Sequence, residues 1–103
     1  MLFSVVLHSD DGVRYGATVP DLQGCFSTGN TFDEALLSVA EAIDFHVETL
    51  LDDGQDIPDK KPIAEHLSNS DYASGVWAVV NVSVEKYFGN AEKINITLYL
   101  VAF

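Results

Sequence analysis

The chain has 103 residues, enough for one domain around one core. Hydrophobic residues make up 48% of it and aromatics 11%, a composition that excludes a disordered chain. Sixteen Asp+Glu against five Lys+Arg give a formal net charge of -11 and a pI near 4.2, so the molecule as a whole repels nucleic acid and anionic membranes and attracts basic partners.

Residues 2–8, LFSVVLH, are rich in apolar and β-branched side chains and predict a strand. The opening lacks a basic n-region, and its apolar run is too short for a signal peptide or a membrane span. With a single cysteine, which rules out an internal disulfide framework, this places the chain in the cytoplasm. SDDG, residues 9–12, has hairpin-turn chemistry, and VRYGATV, residues 13–19, returns as a second strand. PDLQG, residues 20–24, forms another turn, followed by a short third strand at residues 25–28 that Gly29 and Asn30 end.

A long helix comes next. Thr31 to Glu34 reads as a capping box, in which the Thr31 hydroxyl accepts from the Glu34 amide and the Glu34 carboxylate reaches back. Leu36, Val39, Ala40, Ile43, Val47, Leu50 and Leu51 recur at helical spacing, while Glu34, Glu41, Asp44 and Glu48 fall largely off that stripe. Gly54 caps the C-terminus and Pro58 forbids continuation. Residues 55–62 form a polar loop, and residues 63–69 have the length of a short helix. In GVWAVVNVSV, residues 75–84, Val76, Ala78, Val80, Val82 and Val84 alternate on one face, with Trp77, Val79, Asn81 and Ser83 on the other. After a connector at residues 85–93, INITLYLVAF ends the chain as a strand. The expected fold class is α+β, an antiparallel sheet with one long helix packed on it, in β-β-β-α-β order plus a C-terminal strand. Residues 1–88 make up the sheet-plus-helix domain and residues 89–103 the C-terminal strand.

Catalytic constellations are scarce. His8, His46 and His66 have no Cys or second His at metal-ligand spacing, so no metal and no cofactor are expected. Cys25 has no nearby His or Lys in sequence and reads as a buried structural thiol. The glycines before the helix lack the repeats and the lysine of a phosphate-binding loop. Acids are plentiful, but the strands at residues 2–8, 13–19 and 75–84 contain none, whereas a two-metal nuclease needs acids converging from neighbouring strands. The chain is expected not to be an enzyme.

The stretch YGATVPDLQGCFSTGNTFDEALLSVAEAIDFHVETLLDDGQDIP, residues 15–58, resembles the HicB antitoxin family. Members carry a VPDLPGC turn, a TxGDTxEEAxxNAxEAI helix start and an LxxDGxxIP exit. Gln23, Asn30 and Ser38 stand here where the family has proline, aspartate and asparagine. The resemblance implies a partial RNase H-like fold without that enzyme's acidic site. It also implies a partner, a small basic mRNA-cleaving toxin of the HicA type, whose active face the antitoxin covers. The net negative charge suits such a partner. Asp10, Asp11, Asp52 and Asp53 are the exposed candidates for toxin contact.

Family members commonly append a DNA-binding module. AEKINITL, residues 91–98, resembles the ribbon of a ribbon-helix-helix, in which Lys93, Asn95 and Thr97 would point outward to read a major groove while the strand pairs with its counterpart in a second subunit. Such pairing makes a homo-oligomer, a dimer or higher, the expected state. The two helices of the module do not follow, so DNA binding by this chain alone is not expected. Two alternatives stay open at this point: an orphan or truncated HicB-like protein without a live partner, and an autorepressor retaining ribbon-type DNA binding.

Overall fold

A computed structural model of the chain describes residues 1–88 and 100–102. Five strands, β1 (Leu2–His8), β2 (Tyr15–Thr18), β3 (Phe26–Gly29), β4 (Val76–Asn81) and β5 (Leu100–Ala102), form one antiparallel sheet in the order β3-β2-β1-β4-β5. Two helices, α1 (Phe32–Asp52) and α2 (Ile63–Leu67), and two 3₁₀ turns, Ser70–Tyr72 and Glu85–Phe88, complete the described chain. This is the expected α+β arrangement, with the long helix across one face of the sheet.

Alternation along the strands decides which residues meet that helix. Phe3, Val5 and Leu7 of β1 pair in register with Val80, Ala78 and Val76 of β4, and Leu7 pairs with Ala17 of β2. Phe3, Val5, Leu7, Ala17, Ala78 and Val80 form one buried cluster with Ala35, Leu36, Val39, Ile43 and Val47 of α1. Each fully buried Val, Leu or Ile side chain there contributes about 1.5–3 kcal/mol relative to exposure. The predicted helical stripe is therefore the buried face, with Ala35 added and Leu50 and Leu51 half-buried at its end.

The ends of the elements differ from the expected bounds for local reasons. The second strand begins at Tyr15 rather than Val13 because the Asp11 carboxylate holds the amides of Val13 and Arg14, each at 2.8 Å, inside the turn. The third begins at Phe26 rather than Cys25, whose amide donates to the Leu22 carbonyl at 3.0 Å. With the bond from the Leu22 amide to the Val19 carbonyl, residues 19–25 thus fold as two successive tight turns. The third strand also extends to Gly29, which pairs with Tyr15. A Cβ at Gly29 would fall onto the backbone of Glu34 and Ala35, so only glycine lets α1 start this close to β3.

The capping box forms with one shift of partner. The Thr31 hydroxyl accepts from the Glu34 amide at 3.1 Å, and the Glu34 carboxylate accepts from the Asn30 amide, one residue before the cap, at 3.0 Å. At the far end Gly54 has φ 78° and donates to the Leu51 carbonyl, while Gln55 donates to Leu50. Those two bonds make a Schellman motif, in which glycine is the residue that adopts the left-handed position without penalty. The last predicted strand is described only at Leu100–Ala102, in register with Val80, Val79 and Ala78. Among the described residues, no helix is long and apolar enough to cross a membrane.

Candidate functional site

The four acids singled out as contact candidates do not converge. Asp10 and Asp11 lie in the β1–β2 turn, at the end of the sheet where β3 delivers the chain into α1. Asp52 ends α1 and Asp53 is its C-cap, so a helix of 21 residues, roughly 31 Å at 1.5 Å per residue, separates the two pairs. Asp11 is committed to its turn: beyond the two amides it lies 3.3 Å from the Ser9 hydroxyl, and the amides hold its carboxyl below the ordinary range. Asp10, Asp52 and Asp53 are exposed. Lys93, Asn95 and Thr97 lie outside the described residues.

A cleft of about 710 Å³ opens beside the β1–β2 turn. Asp10, Asp11, Glu34 and Glu41 line it, with Arg14 as the one Lys or Arg among the described lining residues and Leu37 at its α1 wall. The adjoining helix concentrates negative charge further. Six of its 21 residues are Asp or Glu, and none is Lys or Arg. Core residues occupy one side of α1, and on the opposite side Glu34, Leu37, Glu41, Phe45 and Glu48 are all exposed.

Asp44 is the exception among these acids, because the 3₁₀ turn at Glu85–Phe88 docks onto it. The Tyr87 hydroxyl donates to Asp44 Oδ1 at 2.6 Å, and Lys86 Nζ sits 3.0 Å from the same oxygen. Partial burial and the facing Asp44 carboxylate hold the Tyr87 phenol above its ordinary pKa. These contacts fasten the chain leaving β4 to the middle of α1.

A second cluster, on the other face of the sheet, was not legible from the sequence. His66 of α2 places Nε2 2.9 Å from Asp21 Oδ1, and the Asp21 side chain is only 3% exposed. A carboxylate can only accept here, so Nε2 carries the donated proton. The same oxygen accepts from the Lys61 amide at 3.1 Å. The imidazole stacks on Trp77, ring centroids 6.0 Å apart, and Tyr72 meets Trp77 edge-on at 5.7 Å. Asp21, at the heart of the 19–25 turns, is thereby a tether for the segment that covers Trp77. The signal that could have found it was Trp77 itself, a large side chain on the strand face that α1 leaves bare.

Cys25 is a buried structural thiol. Burial pushes the Cys25 thiol up to about 11, away from reactivity. Among the described residues no group of three or more His, Cys, Asp or Glu could hold a metal ion. The candidate site is an exposed helix face and an adjoining cleft, both rich in carboxylates.

The model of the HicB-like antitoxins of bacterial toxin–antitoxin systems matches residues 3–101. The chain is similar to the Burkholderia pseudomallei antitoxin HicB, whose crystal structure superposes with a TM-score of 0.75 at 40% identity, over 94% of this chain and 74% of that one. A 14.9 kDa protein from the rep–hol intergenic region of Haemophilus phage HP1 is 40% identical over 99 residues, 95% of this chain and 73% of the relative. The fold also matches a chain of the HicA3–HicB3 toxin–antitoxin complex, with a TM-score of 0.65 over 81% of this chain and 99% of that one; at 23% identity that likeness is one of fold.

Proposed function

The chain belongs to the HicB-like antitoxin family of bacterial toxin–antitoxin systems, and from that premise we propose that it acts by binding a small basic toxin of the HicA type and covering its RNA-cleaving face. The observation that carries this reading is the carboxylate-rich surface of α1 and the cleft beside it. A protein that cleaves mRNA must present cationic groups to phosphates, and a rigid acidic face competes for those groups. The inhibitor needs no chemistry of its own, in keeping with a surface whose acids are spread along a helix and a turn rather than gathered from neighbouring strands. Its place of action is the cytoplasm, where mRNA is.

The reading is tested by co-expression. Induction of a small basic HicA-type toxin from the same genome should arrest growth, and simultaneous production of the chain should restore it. Continued arrest with the chain present, folded and in excess would overturn the proposal.

A further inference from the structure

Leu37 and Phe45 are exposed at 53% and 71%, and the core does not use them. Single apolar residues on a surface need no explanation, but these two share one stripe with Glu34, Glu41 and Glu48. At 100° per residue the five positions fall within a band roughly 80° wide and roughly 21 Å long. The band lies opposite Ala35, Leu36, Val39, Ile43 and Val47, which are at most 2% exposed. Helix stability does not call for it either, since phenylalanine is a poorer helix former than the lysine, glutamine or alanine a solvated face could carry.

We propose that this ridge, Leu37–Glu41–Phe45 flanked by Glu34 and Glu48, is the surface on which the toxin docks, and that the occupant is a cationic protein face with an apolar centre. Leu37 and Phe45 supply the anchors that lose water on binding, and the glutamates select lysines or arginines around them. The ridge runs into the acidic cleft, because Glu34, Leu37 and Glu41 line that cleft together with Asp10. A basic side chain reaching past Leu37 therefore meets further carboxylates. A second copy of this chain is the wrong occupant: two such ridges face to face would oppose glutamate to glutamate, with no Lys or Arg on either helix to offset them. This inference rests on the antitoxin reading and names, within its acidic surface, the side chains that anchor the partner.

The test measures binding of the full chain to a purified small basic HicA-type toxin from the same genome, by calorimetry. Three variants join the parent: the double substitution L37S/F45S, the charge reversal E41K, and F26S as control. Phe26 is 68% exposed on β3 and, by alternation, on the sheet face away from α1. All altered side chains are exposed, and unchanged melting curves establish that each variant is folded. L37S/F45S and E41K should each bind at least about tenfold more weakly, with F26S equal to the parent. If the parent binds and either ridge variant stays within about twofold of it, the ridge proposal is overturned and the antitoxin reading stands. If the parent itself does not bind, both fall. A parent that is dimeric alone and made monomeric by L37S/F45S would also overturn the proposal.

Discussion

The Asp21–His66 pair joins two segments separated by forty-five positions in sequence. A carboxylate so enclosed is costly unless its oxygens are engaged; here Oδ1 serves both the imidazole and the Lys61 amide, while Oδ2 is buried without a hydrogen-bond partner among the described residues. Removing the imidazole would leave the carboxylate facing the side from which His66 had shielded it, and would uncover Trp77. His66→Ala should therefore cost about 3 kcal/mol in urea unfolding. Asp21→Asn keeps an acceptor for the same two donors and should cost about 1 kcal/mol. Trp77 is the sole tryptophan, so its emission reports the unfolding directly. Equal stability of His66→Ala and the parent would mean that the pair is incidental. The residue that sequence reasoning missed here is a polar one whose partner arrives from a distant segment, and no periodicity announces such a pairing. Cys25 was legible by contrast, because its role depends on its own turn and on burial.

At the scale of elements, what could be read were features whose causes are local. The capping box, the helical stripe and the Gly54 stop lie within a few residues of the backbone they control, and α1 appears where they place it. Thr31→Ala should remove about 1 kcal/mol from the midpoint stability of the whole domain, with an unchanged denaturant slope, since α1 and the sheet share one core. A loss of helical signal without loss of the sheet would contradict that coupling. Strand ends were read less well. Val13 is apolar and follows a turn, yet it lies outside β2 because a side chain two residues earlier, Asp11, captures its amide. Alternation in β4 correctly divided its faces but could not say that α2 and the Ser70–Tyr72 turn cover the second one. That cover depends on tertiary contact rather than on a pattern within the strand.

For the whole molecule, charge was the most legible property and its distribution the least. A net of -11 points to a basic partner before any fold is known. Exposure is easiest to foresee at turns and helix ends, which favours Asp10, Asp11, Asp52 and Asp53; the fold instead parts the first two from the last two by the length of α1, and commits Asp11 to its own loop. The continuous acidic face is on the helix, where periodicity shows which residues leave the core but not which of them stay uncovered. On the proposed function, this face inhibits an RNA-cleaving toxin by occupying it. The most direct measurement is cleavage of a labelled mRNA by the purified toxin, titrated with the chain at physiological salt. Cleavage should stop near a stoichiometric amount of chain and return as salt is raised and the ionic contacts weaken. Undiminished cleavage at a large molar excess of folded chain would contradict it.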